Sequence, residues 1–363
     1  MLILTLDAGG TNFVFSIVKD GNIFGEKINF KTQTEVQNLE KFLKKIISCF
    51  EQLKTQLDQE PAAISISFPG PADFKKGIIG NLKNIQCFSH QNGVALGKML
   101  ENHFKMPVFI NNDGDLYTLG EAFYGILPKI NKDLQENRSN KRYHNLCGMT
   151  IGTGFGAGLV HNGTLISGDN ICAGEIWITS NRLSQDYNSE EGVSIRALKH
   201  FYSEYSYIPI NEVPEPKEIS EIAVDKNSNN YEAANRAFFK LGQFIGDSIA
   251  NIITLFDCIV VIGGGIANSK ELIIPGIESE LKHNFLRLNG GKNNRLSQNV
   301  FCLNDDKQYH EFLKNYEHEI IVPFSNETIT YDDMPRNGYI FSNFDTSEMI
   351  CLGAYHFAEI YEL

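Results

Sequence analysis

The sequence has no run of about 18 consecutive apolar residues, the length that a membrane-spanning helix needs. It also lacks a basic surplus: 32 lysines and arginines face 44 aspartates and glutamates, for a formal net charge of -12. That balance speaks against holding duplex nucleic acid through its phosphates and against docking on an anionic membrane. No basic, apolar leader opens the chain, so the expected compartment is the cytoplasm. None of the seven cysteines, at 49, 87, 147, 172, 258, 302 and 351, forms a C-x-x-C pair. A zinc knuckle or disulfide framework is therefore not expected, and the thiols read as small buried hydrophobes. Tryptophan occurs once, as Trp177.

What is present is ordinary globular composition, 42% hydrophobic and 21% charged, over 363 residues, enough for two hydrophobic cores. Two apolar runs, Leu2–Leu6 and Phe13–Val18, predict a strand pair joined through Asp7-Ala8-Gly9-Gly10-Thr11-Asn12. Helical spacing follows over 39–57, a buried strand over 62–68, a helix near 94–104, a short strand at 107–110 and a helix over 116–124. The polar stretch 129–145 reads as a surface insertion. A second strand pair, 146–151 and 156–161, flanks Gly152-Thr153-Gly154. Helices are predicted at 194–205, 219–223 and 231–256, and a buried strand over 257–262 leads into Gly263-Gly264-Gly265. The segment 289–345 is Asn-rich and irregular, with strands near 319–323 and 338–342, and a closing helix begins at Ser347. Alternating strands and helices predict an α/β protein.

Glycine-rich turns let backbone N–H groups approach an anion, because no Cβ stands in the way. Asp7 cannot favour a bare phosphate, but it makes sense beside a Mg²⁺ ion held directly or through water. Each turn taken alone also has a plain structural explanation: a hairpin needing positive φ, a kink in a sheet, a tight strand-to-helix turn. Two such turns, each inside a hairpin, favour a nucleotide clamp, with Gly263–Gly265 able to lie flat against an adenosine face. Neither a Walker loop nor a dinucleotide fingerprint is present. Asp113, after a short buried strand, can take a proton from a sugar hydroxyl as it attacks a γ-phosphoryl group, with Asn112 bonding an adjacent hydroxyl. Asp115 reads as a helix cap and Glu121 as structural.

In this order and at these separations, the segments resemble the ROK family, the repressors, open reading frames and sugar kinases of the actin/hexokinase-like ATPase superfamily. The matching pieces are Asp7–Asn12, Phe68–Pro71, Asn81-Leu82, Val108–Asp113 with Gly120-Glu121, Gly152–Gly158, Ala173–Ile176 and Val261–Gly265. The resemblance implies two RNase H-like domains, with mixed sheets flanked by helices, around a central cleft. Their expected extents are 1–117 plus a C-terminal helix at about 348–363, and 118–347 with insertions near 129–145 and 289–345. It implies ATP, held with Mg²⁺ by Asp7, Gly9, Gly10, Thr11, Asn12, Gly152, Thr153, Gly154 and Gly263–Gly265. It implies a hexose contacted by Asn81, Asn112, Asp113, Glu175 and Glu190, with Asp113 as catalytic base and transfer to the 6-hydroxyl. Glu190 is preferred over Glu191 because Ser194-Ile195-Arg196 follows, although both glutamates also suit a solvated helix start. A homodimer is implied as well.

One departure is plain. Many family members carry a histidine three residues after the Ala-Gly-Glu glutamate and then a zinc-binding cysteine cluster. Here that position is Ile178, and no cysteine or histidine occurs between Glu175 and Leu198. No zinc is expected, and the identity of the hexose is left open. Trp177 either stacks on a sugar face or belongs to the core. Family regulators place a helix-turn-helix before the first hairpin; this hairpin begins at residue 2, so an enzyme is expected rather than a repressor. The same motifs would also suit a non-catalytic sugar sensor or a polymerising ATPase.

Overall fold

The computed structural model describes residues 1–9, 12–31, 38–82, 85–89 and 92–362. Two compact units emerge, one of Met1–Gly125, Gly158–Gly174 and Phe344–Leu363, the other of Ile126–Ala157 and Glu175–Asn343.

The first unit is built on strands β1 (Leu2–Ala8), β2 (Asn12–Lys19), β3 (Asn22–Lys31), β4 (Ala63–Ser67) and β5 (Val108–Asn111), in the order β3-β2-β1-β4-β5. The β1, β2 and β3 neighbours run antiparallel, and β4 and β5 run parallel to β1. β1 and β4 are buried along their whole length; β1 reads as a mostly apolar run, whereas β4 alternates isoleucine with Ser65 and Ser67, which are buried as well. β3 carries no clear apolar period because most of its residues face solvent. Helix α1 (Leu39–Lys54), capped by Asn38, buries Phe42, Ile46, Cys49, Phe50 and Leu53 at 3.6-residue spacing. Its phenylalanines meet Phe13, Phe15 and Phe88 edge-on, with ring centroids 4.9–5.8 Å apart. Helices α2 (Leu96–Phe104) and α3 (Asp113–Phe123) follow, and the C-terminal helix Thr346–Glu362 packs on α3.

The second sheet repeats the plan. It contains β6 (Asn145–Ile151), β7 (Phe155–His161), β8 (Thr164–Leu165), β9 (Ile259–Gly263), β10 (Asn299–Cys302) and β11 (Arg336–Phe341), in the order β8-β7-β6-β9-β11-β10. Again an antiparallel hairpin leads, and a parallel partner, β9, lies on the other side of its first strand.

The polar stretch 129–145 is not a loose insertion. Its first part belongs to helix α4 (Ile126–Glu136), and Ile126, Leu127, Ile130 and Leu134 form a buried stripe that intervening lysines, asparagine and aspartate obscured. The Asn131 amide then clamps the return, exchanging two hydrogen bonds with the Tyr143 backbone. Further helices are α5 (Ile195–Ser206), α6 (Pro216–Val224), α7 (Tyr231–Phe256), α8 (Lys270–Leu281) and α9 (Asp306–Leu313). Segment 289–345 is more ordered than its composition suggests, for it holds α9, β10, β11 and an isolated hairpin of Glu317–Ile321 with Thr328–Asp332. Among the cysteines, Cys172 departs from expectation by being exposed; the other six are buried.

Candidate functional site

Strand register lines up the first group of side chains. Asp7 sits opposite Ser67, and Ser67 opposite Asn111, so the three close the carboxyl ends of β1, β4 and β5 in one row. With strands about 4.8 Å apart, the row spans about 10 Å. Ligands in open α/β sheets gather outside such carboxyl ends. Asn112 is the N-cap of α3, its Oδ1 accepting from the Asp115 N–H at 2.7 Å. The cap is therefore Asn112 and not Asp115, which lies buried in the first turn. Asp113 is the first helical residue, exposed to solvent, with Oδ1 accepting from the Gly114 N–H at 2.9 Å.

Asp7 is the electrostatically unusual member. Burial pushes its carboxyl up to about 7, the charges of Asp113 and Asp345 add to the rise, and the Ser347 and Ser67 hydroxyls oppose it. Ser67, Asp345 and Ser347 did not emerge from the sequence: the first hides inside an apolar strand, the other two start the C-terminal helix. Because the folded state holds this proton to higher pH than the unfolded chain, its stabilising contribution is full below pH about 4. That contribution falls as pH rises towards about 7 and is level above it. In EDTA, Asp7→Asn should thus melt above the wild type by a margin that grows from pH 4 to pH 7 and then stays constant. Thermal unfolding across that range checks it; a margin independent of pH contradicts the burial argument.

Asp7 is also the residue that suits a divalent cation, since a charge of opposite sign would relieve its burial and the repulsion from two neighbouring carboxylates. Among the described residues, no three or more histidine, cysteine, aspartate or glutamate side chains are grouped to hold a metal by themselves. A hydrated ion such as Mg²⁺, which is commonly bound through only one or two protein carboxylates, would fit Asp7. Gly9 follows the end of β1 and Asn12 opens β2, while Gly10 and Thr11 lie outside the described residues. Asn81 is exposed and precedes the buried Leu82 in the same unit.

In the second unit the β6–β7 turn closes on itself, the Gly152 N–H donating to the Gly154 carbonyl at 3.0 Å. β9 pairs with β6 so that Gly263 lies beside Thr150, and the glycine run reaches the turn. Gly264 adopts φ +92°, and a Cβ there would stand 2.3 Å from the Ile151 carbonyl oxygen, so only glycine fits. A Cβ on Gly152 or Gly265 would meet nothing within 4 Å, leaving an open face beside the backbone at both positions. The second and third glycine motifs, separate in sequence, are thus one surface, with Thr153 exposed at its tip.

Glu190 belongs to this surface. Its Oε2 accepts from the Phe155 N–H at 3.0 Å, and Arg196 reaches its Oε1 at 3.4 Å. Glu175 is exposed and accepts from the indole N–H of Trp177, which is half-buried and so neither a core residue nor fully open. Thr179 and Ser189 hydrogen-bond to each other through backbone and hydroxyls, bringing the short turns that carry Glu175 and Glu190 together.

Two mixed α/β sheets whose first four strands follow the same order, each containing a glycine-bearing hairpin, define the actin-like ATPase fold. The ROK family model matches residues 3–299, and the chain belongs to the ROK family. The glucokinase structure from Parabacteroides distasonis is 41% identical, with 99% of this chain and 98% of that one covered, and a TM-score of 0.86. The beta-glucoside kinase of Listeria monocytogenes is 30% identical over 61% of this chain and 68% of its own. A ROK glucokinase from Streptomyces griseus, solved with glucose and AMPPNP, shares the fold over 99% of this chain and 100% of its own, at 18% identity and a TM-score of 0.64.

Proposed function

We propose that the chain is an ATP-dependent hexose kinase that phosphorylates a 6-hydroxyl. The observation that carries this reading is the pairing within one unit of an exposed carboxylate, Asp113, with a buried one, Asp7, whose charged form is disfavoured by burial and by two neighbouring acids. The kinase names of the relatives, one of them solved with an ATP analogue, point the same way.

In this reading Asp113 accepts the proton of the attacking hydroxyl while Asn112, Asn81, Glu175 and Glu190 orient the sugar. The main-chain N–H groups around Gly9–Asn12 and Gly152–Gly154, with Thr11 and Thr153, hold the phosphate tail, and Gly263–Gly265 underlie the adenosine. Asp7 would hold a Mg²⁺ ion, which would supply neutralising charge to the phosphates. Because the transition state of phosphoryl transfer offers little covalent work for a protein, positioning and charge account for most of the rate. A cytoplasmic homodimer that uses no zinc belongs to the same reading.

The engagement of Glu190 by Phe155 and Arg196 favours one second reading, a sugar sensor that has lost turnover. A coupled assay of ADP release over a panel of hexoses and N-acetylhexosamines separates the two. The kinase reading expects release that requires both ATP and one class of sugar; sugar binding with no release would support the sensor.

A further inference from the structure

Between Glu175 and Glu190 the chain makes a small hairpin, Ser180–Asn181 against Ser184–Asn188. Its own hydrogen bonds are few, and two-stranded ribbons of this size do not hold a shape alone. It is instead fastened to helices α7 and α8. The Asn181 amide donates to the Phe244 carbonyl at 3.0 Å, and the Arg182 backbone N–H donates to Asp247 Oδ2 at 3.1 Å. The Arg182 guanidinium grips both carboxylate oxygens of Glu280 through Nε and Nη2.

The other end of that grip is costly to bury. Asp247 on α7 and Glu280 on α8 each have side chains only 1% exposed. Arg295 answers Asp247 at 2.8 Å, braced by Asn251 and by the Phe285 ring, but its Nε stands 3.9 Å from Glu280. Glu280 therefore depends on Arg182, and a forked guanidinium is the group that matches a carboxylate at two points. Of the four ionised partners, only Arg182 lies on the segment that carries the two sugar-contact candidates.

We infer that Arg182 is a positioning residue: docked on Glu280 and Asp247, it fixes the hairpin that sets the spacing of Glu175 and Glu190 for the sugar. This rests on the sugar-contact reading of those two glutamates. The arrangement predicts a selective fault. Loss of the fork should loosen sugar recognition more than it disturbs the glycine surface that serves the nucleotide, which meets this segment through the Glu190–Phe155 hydrogen bond.

The test uses the single tryptophan, which sits within the same segment. Sugar affinity is read from the sugar-induced change in Trp177 emission, and the KM for sugar, the KM for ATP and kcat from ADP release. The variants are Arg182→Met and Arg182→Lys, the latter keeping the charge opposite Glu280 so that a folded protein is retained. Arg182→Met should weaken sugar binding and raise the sugar KM about tenfold or more, with the KM for ATP and kcat within about twofold. Arg182→Lys should recover part of that loss. Unchanged sugar affinity in both variants overturns the assignment, and so does a joint loss of sugar affinity, ATP affinity and kcat, which a general structural role produces. A wild type whose Trp177 emission and ADP release both ignore every sugar would instead sink the functional reading.

Discussion

Asp113→Asn is expected to lower kcat for sugar-dependent ADP release by about 10²- to 10⁴-fold, the range a positioned general base contributes, with the KM for sugar within a few-fold of wild type. The substitution is nearly isosteric, and its side-chain oxygen can still accept from the Gly114 N–H at the start of α3. What disappears, in the proposed mechanism, is the basicity that would remove a proton from the attacking hydroxyl. A thousandfold loss corresponds to about 4 kcal/mol of transition-state stabilisation. The same change carries a second signature, because Asp113 is one of the charges that raise Asp7. Asp7 should titrate closer to an ordinary aspartate in the variant. Steady-state kinetics with sugar binding measured in parallel decides the matter: near-normal turnover with sugar still bound removes Asp113 from the role of base.

The second large effect concerns the fold. In the first unit the C-terminal helix and α3 cross through two glycines used reciprocally. A Cβ on Gly353 would lie 1.7 Å from the Leu116 carbonyl oxygen, and one on Gly120 would lie 2.0 Å from the Met349 carbonyl oxygen. In both cases the obstacle is helix backbone, which cannot rotate away as a side-chain tip can. The helices would have to separate and open the packing around Met349, Ile350 and Ala354, all buried. Gly353→Val should therefore cost at least about 3 kcal/mol, at or beyond the upper end of ordinary overpacking, and Gly353→Ala somewhat less. Chemical denaturation measures it. A valine variant within about 1 kcal/mol of wild type would mean that this crossing is looser than its geometry indicates. Since Asp345 and Ser347 lie at the start of the same helix and both act on Asp7, the variant should also disturb the carboxylate site.

The legible parts of the fold were those with a strong local period or a continuous buried run. β1, β2 and β9 are mostly apolar, β4 is buried at every residue, α1 and α7 show helical spacing, and each emerged within a few residues of its observed span. α4 and α9 did not. The first buries a narrow stripe beneath polar residues, and the second buries only Phe312 and Leu313 over eight residues. β3 escaped because its burial is partial and irregular. In the candidate site, glycine motifs and a carboxylate after a strand carry local signals, and the strand register then joined Gly263 to the Gly152 turn. The hydroxyls and acid around Asp7 and the Arg182–Glu280–Asp247–Arg295 set carry none. They come from elements far apart in the chain, and only tertiary packing makes neighbours of them.

Phosphorus NMR of the protein with MgATP and its preferred hexose follows the phosphoryl group itself. The account predicts loss of the γ-phosphate resonance with matching growth of a sugar 6-phosphate signal and ADP, and no turnover without sugar. Inorganic phosphate formed in place of a sugar phosphate, or intact ATP beside a sugar that is demonstrably bound, would contradict it.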